Sequence, residues 1–137
     1  MRTIGIAGLT LGGCTAARWY LDRVGRRETE HTKGHIKLKA LWNEGAAFGL
    51  PIRSGSLIAA SVSLMTWLWT QRKAHPVSTG LVLGGGLSNL LERLFHRKVY
   101  DYIQFPKTPG KLKRYVYNLA DLAIFAGGIG LLLRKEN

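Results

Sequence analysis

The sequence predicts an all-α membrane protein, a four-helix bundle carrying a small β-sheet between helices 1 and 2. Three observations predict it: four apolar runs, basic and aromatic residues gathered at and between the run ends, and one short alternating segment between the first two runs. At 137 residues the chain is a single integral domain, 1–137. Hydrophobic residues make up 46% of it, and 20 Lys and Arg against 8 Asp and Glu give a net charge of +12. Such a balance calls for an anionic partner, nucleic acid or phospholipid headgroups. A nucleic-acid protein concentrates its cations on one face or tail. Here they fill the gaps between apolar runs, so the reading takes membrane lipids as partners and no nucleic acid.

In chain order, the apolar runs extend from Ile4 to Ala17, Ser56 to Thr70, Val77 to Leu91 and Val116 to Leu133. Most are shorter than the roughly 20 residues that a straight helix needs to cross the hydrocarbon. Aromatic residues at the run ends (Trp19, Tyr20, Trp67, Trp69, Tyr115, Tyr117) fit interfacial belts. Flanking arginines can snorkel to the headgroups. Small residues spaced by four, Gly8 with Gly12 and Gly80 with Gly84, predict close helix approach, and GLVLGGGLSN reads as a helix-packing surface. Between the first two runs, His35 to Trp42 partly alternates, with Ile36, Leu38, Ala40 and Trp42 on one side and Lys37 and Lys39 on the other: a strand period at the membrane surface. Between the last two runs, FPKTPGKLKR has two prolines and a glycine and predicts a loop.

Chemistry is indicated by polar residues where a membrane bundle does not tolerate them without purpose. Asn89, Glu92 and Arg93 end the third run, Asp101 follows, and Asn118 and Asp121 open the fourth. Asn89 and Arg93 are four apart and Asn118 and Asp121 three apart, so each pair shares a helix face. The third run ends where the fourth begins, which brings all six to one surface. Two carboxylates in a half-dry cleft share one proton, so that one acts as acid while the other activates water. The same residues also allow Asp121 to pair with Arg93 as a buried ion pair with no chemistry. The single Cys14 and the four His have no metal-ligand spacing, so neither metal nor cofactor is expected. No nucleophile elbow is present.

On these residues a family pattern is visible. NEGAAFG (Asn43 to Gly49) resembles the NxGAAF segment of lipoprotein signal peptidases (signal peptidase II). GGGLSNLLER (Gly84 to Arg93) resembles their GGxxGNxxDR, VYD (Val99 to Asp101) their VVD, and YNLAD (Tyr117 to Asp121) their FNxAD. The resemblance implies an aspartic endopeptidase of the bacterial plasma membrane, a multi-pass protein with its site at the extracytoplasmic face. Such an enzyme removes signal peptides from diacylglyceryl-modified prolipoproteins, cutting before the lipidated cysteine, with no cofactor and as a monomer. It places the sheet outside the membrane and puts Asp101 and Asp121 at the catalytic positions. Asn43, Asn89, Arg93 and Asn118 then line the site and hold substrate, Gly45, Ala46, Ala47 and Phe48 form a cradle of small residues, and Glu92 sits beside Arg93.

The chain departs from the pattern in three places. The first helix of the family usually carries an Asp followed closely by a Lys, whereas CTAAR (Cys14 to Arg18) has no acid; Glu92 stands for an aspartate and Ser88 for a glycine. These departures motivate an alternative, a catalytically inactive homologue that binds lipidated peptides or lipid. LGGC (Leu11 to Cys14) also resembles a lipobox, which would make the chain itself a lipoprotein. The positive-inside rule turns the more basic loops toward the cytoplasm. The resemblance turns them outward, where they would lie on anionic headgroups.

Overall fold

The computed structural model describes residues 1–24, 29–43 and 53–133. Its elements are α1 (Arg2–Val24), β1 (Thr29–His31), β2 (Ile36–Asn43), α2 (Ser54–Thr70), α3 (Pro76–His96), β3 (Val99–Gln104), a 3-10 turn (Gly110–Arg114), β4 (Val116–Tyr117) and α4 (Leu119–Leu133). The four helices fall on the four apolar runs. α3 is the central helix, packed against α1, α4 and α2.

The glycines of α3 explain that centrality. A Cβ at Gly80 would lie 2.7 Å from Ile6 Cβ, one at Gly84 would lie 2.6 Å from the Ala7 carbonyl oxygen, and one at Gly85 would lie 2.6 Å from that of Ala120. The helix therefore offers bare backbone to α1 on one side and to α4 on the other, as GLVLGGGLSN predicted. Gly8 and Gly12 do not behave this way: no atom of another element lies within 4 Å of where their Cβ atoms would stand. The face of α1 that meets α3 carries Thr3, Ile6, Ala7 and Thr10, a helical repeat that leaves Gly8 and Gly12 exposed on another face.

The sheet is larger than expected. All four strands form one antiparallel sheet in the order β1-β2-β3-β4. Only β1 and β2 lie between helices 1 and 2; β3 and β4 come from the connection between α3 and α4, so VYD is a strand and FPKTPGKLKR includes a 3-10 turn. The β1–β2 turn passes through Thr32, Lys33 and Gly34 at positive φ. Gly34, at φ 83°, takes the most demanding of the three conformations, which glycine adopts without steric cost. The alternation of HIKLKALW is only partial because a bulge falls between Leu38 and Leu41 and shifts the two-residue period.

Trp19, Tyr20, Trp67 and Trp69 are exposed near the ends of α1 and α2, with Arg23 stacked over Trp19 and Arg72 over Trp69. Tyr117, grouped with them in sequence, is instead buried, its ring against Phe105 and Phe125. Among the described residues no helix is long and apolar enough to cross a membrane. α2 and α4 have 17 and 15 residues. α1 and α3 are longer but carry charged side chains within their last turns. Exposed apolar side chains nevertheless cover the bundle, among them Leu9, Val62, Leu64, Phe125, Ile129, Leu132 and Leu133.

Candidate active site

Three structural devices bring the acids together. The first is the α3–β3 corner. Arg97, in the left-handed conformation (φ 59°), closes α3 by donating its N–H to the Arg93 carbonyl, and the chain turns directly into β3. Val99, Tyr100, Asp101 and Tyr102 are all buried along that strand. The second is Glu92, whose Oε2 accepts the Tyr100 N–H at 2.8 Å while Oε1 lies 3.6 Å from Arg18 Nε on α1. It thereby fixes the residue before Asp101 to two helices. Arg18 also donates to Nε2 of His96, 3.2 Å away. The third is the Tyr102 hydroxyl, which accepts the Leu119 N–H at 2.9 Å and ties β3 to the first residue of α4. Burial pushes the Tyr102 phenol up to about 12 and raises that of Tyr117 as well, so both are neutral at physiological pH.

Asn118 and Asp121 form a reciprocal cap on α4. Asn118 Oδ1 accepts the Asp121 N–H at 2.8 Å, and Asp121 Oδ2 accepts the Asn118 N–H at 3.0 Å. The sequence Asn-Leu-Ala-Asp is a capping box with amide and carboxylate in place of the usual hydroxyl and glutamate. Their spacing marks a helix start rather than two side chains on a face inside the helix. The N-terminal end of α4 also favours negative charge on Asp121.

The Asn118 amide then joins everything else. Its Nδ2 donates to Asp101 Oδ1 at 3.1 Å and to Asn89 Oδ1 at 2.9 Å, while Asn89 Nδ2 donates to Asp121 Oδ1 at 3.1 Å. Asp101, Asn118, Asn89 and Asp121, from β3, the α4 cap, α3 and α4, thus form one hydrogen-bonded group. Asp101 and Asn118 are each 3% exposed, whereas Asp121 is only half-buried. Arg93, one turn beyond Asn89, is within electrostatic reach of Asp101, Asp121 and Glu92.

Of the residues singled out in sequence, Asn89, Asp101, Asn118 and Asp121 meet directly, Arg93 stands beside them, and Glu92 braces the strand. Asn43 ends β2 opposite Val99, two residues from Asp101; its side chain and the whole of Gly45, Ala46, Ala47 and Phe48 lie outside the described residues. Tyr102 and Arg18 had not been singled out as partners of the site. The run of strand formers in Val-Tyr-Asp-Tyr-Ile was the available signal for the first. Cys14 is buried in the middle of α1, next to Ser88 of α3.

The chain is similar to known proteins over nearly its whole length. The family model for Signal peptidase (SPase) II matches residues 12–135. The lipoprotein signal peptidase of Syntrophomonas wolfei is 39% identical over 124 residues, covering 84% of this chain and 78% of the relative. That of Nitrobacter hamburgensis is 31% identical, covering 80% and 74%, and that of Methylorubrum extorquens is 34% identical, covering 68% of this chain and 59% of the relative. Two solved structures of bacterial membrane enzymes share the fold at 18% identity. The first has a TM-score of 0.81 and covers 96% of this chain and 85% of its own; the second has 0.79, covering 98% and 94%. The chain belongs to the signal peptidase II family.

Proposed function

We propose that this protein is an aspartic endopeptidase that removes signal peptides from lipid-modified prolipoproteins, with Asp101 and Asp121 as its catalytic pair. The observation that carries the reading is the shared Asn118: one side-chain amide donates to Asp101, and the same residue caps the helix through Asp121. Two acids are thereby held in one partly dry site, where they cannot both ionise without cost. The carboxyl that keeps its proton donates toward the scissile carbonyl or the leaving amine. The ionised partner takes a proton from the attacking water. Asn89 and Asn118 orient the acids, and Arg93 offsets the negative charge that develops beside them. The substrate is a peptide carrying a diacylglyceryl cysteine, cut on the amino side of that residue.

The bundle spans the membrane, with its apolar exterior against lipid. The sheet, the acids and the ends of α1 and α3 lie at one surface, on the extracytoplasmic side, so the shorter helices require thinning of the bilayer around them. No feature of the described residues favours the non-cleaving alternative. The separate substitutions Asp101→Asn and Asp121→Asn, each isosteric, test the pairing. Each is expected to reduce turnover of a lipid-modified peptide by about 10³-fold or more while leaving the protein folded. Turnover surviving in either variant would remove that residue from the chemistry. A single cysteine placed between Lys107 and Lys113 should react with an impermeant reagent added outside intact cells; protection there would invert the proposed orientation.

A further inference from the structure

At the end of the bundle opposite the acids, the start of α1, the end of α2 and the start of α3 enclose a cavity of about 500 Å³. Arg2, Arg72 and Lys73 line it together with Thr3, Ile4 and Trp69, and no acidic side chain does so among the described residues. Arg72 is held in place within this wall. The Arg72 guanidinium stacks 4.4 Å from the centre of the Trp69 ring and donates to the Trp69 carbonyl at 2.8 Å. The carbonyl of Arg72 accepts from Thr3 Oγ1 at 3.1 Å, pinning α1 to the α2–α3 turn. Pro76, the first residue of α3, borders the same cavity, and the preceding His75 supplies no side-chain cap, so the positive end of that helix adds to the field.

A second cavity adjoins this one. An apolar groove of about 360 Å³ runs between α1, α2 and α3, lined by Ala7, Gly8, Leu11, Met65, Leu83 and Leu87, and it shares Ile4 and Trp69 with the cationic cavity. A cluster of cations set beside an apolar groove, with a tryptophan lining both, has the polarity profile of one phospholipid molecule. A free anion would need only the first part, and a zwitterionic lipid would gain little from three cations without an acid.

We propose that these adjoining cavities bind one anionic glycerophospholipid, its headgroup phosphate between Arg2, Arg72 and Lys73, its glycerol level with Trp69, and an acyl chain in the groove. The site faces the leaflet opposite the acids. It rests on the membrane-spanning reading above but not on the catalytic role of Asp101 and Asp121.

The test is native mass spectrometry of the purified protein in neutral detergent, titrated with phosphatidylglycerol, with phosphatidylcholine of the same chains, or with inorganic phosphate. The expected result is one retained phosphatidylglycerol per chain, with phosphatidylcholine at least about tenfold weaker and inorganic phosphate neither retained nor competing. The double substitution Arg72→Gln/Lys73→Gln should weaken phosphatidylglycerol by about tenfold or more. Gly8→Leu, which places a side chain in the groove at a position with no atom of another element within 4 Å, should weaken it independently of the cations. Equal retention of the two lipids, or wild-type retention in the double variant, would overturn the proposal. Displacement by inorganic phosphate would reassign the site to a free anion and overturn it too. Cleavage of a lipid-modified peptide is measured on the same samples, so a failed lipid site and a failed catalytic reading are separable: Arg72→Gln/Lys73→Gln retains cleavage while losing the lipid.

Discussion

Asn118→Ala removes more than any other single side chain at the site. The backbone N–H that donates to Asp121 Oδ2 stays, but three side-chain hydrogen bonds go: those to the Asp121 N–H at 2.8 Å, to Asn89 Oδ1 at 2.9 Å and to Asp101 Oδ1 at 3.1 Å. Loss of the cap costs about 1 kcal/mol. Each acceptor left short of a donor in a buried setting costs a further ~1–3 kcal/mol. The sum is on the order of 3–7 kcal/mol, or a fall in melting temperature on the order of 10–30 °C in detergent. Turnover should fall by about 10²–10³-fold, because Asp101 loses the donor that orients it. Asn118→Ser divides the two roles, since serine caps a helix but cannot reach across as a two-handed amide. It should recover about 1 kcal/mol of the stability and none of the turnover. Thermal unfolding followed by circular dichroism, paired with peptide cleavage, measures both. Recovery of turnover by serine, or wild-type turnover in Asn118→Ala, would refute the bridging role.

Four further outcomes are expected. Gly84→Ala should destabilise the bundle by about 1–3 kcal/mol, because the new methyl meets the Ala7 carbonyl at 2.6 Å. Gly8→Ala, with open space beside it, should be neutral or slightly stabilising in the same unfolding experiment. Glu92→Ala removes the carboxylate that accepts from the Tyr100 N–H and faces Arg18; it should lower both stability and turnover, whereas Glu92→Gln, which keeps an acceptor for Tyr100, should lose less of each. Tyr102, held neutral to about pH 12 when folded, ionises near 10 once unfolded, so the unfolded chain loses its proton first. Stability should therefore fall by about 1.4 kcal/mol per pH unit between roughly pH 10 and 12, and Tyr102→Phe should flatten that slope in a melting-temperature profile.

The helices and the members of the site were legible because each carries a strong local signal: long apolar runs, and polar residues stranded in or beside them. The strand at Ile36–Asn43 was legible for the same reason, its two-residue period surviving until the bulge after Leu38. β3 was not, because Val99–Tyr102 is buried along its whole length and therefore shows no alternation of apolar with polar side chains. β4 has two residues, too few for any period. Gly8 and Gly12 share the four-residue spacing of Gly80 and Gly84, but spacing does not say which face a helix turns to its neighbour. The link from Arg18 through Glu92 to Tyr100 joins residues 74 and 8 positions apart, and no local pattern encodes it. Arg18 pairs with Glu92 on α3, while buried Cys14 stands one turn before it on α1. Asn118 and Asp121 were visible as a pair, yet their meaning as a capping box depends on where the helix begins.

The account stands or falls on the chemistry of one site, and the most direct measurement is cleavage by the purified wild-type protein. A synthetic prolipoprotein peptide bearing a diacylglyceryl cysteine, and the same peptide without the lipid, are incubated with it in the presence of a chelator, and the products are read by mass spectrometry. The account predicts a single cut on the amino side of the lipidated cysteine, undiminished by the chelator and absent from the unmodified peptide. A well-folded protein that leaves the lipidated peptide intact, or that stops cutting when the chelator is added, would contradict it.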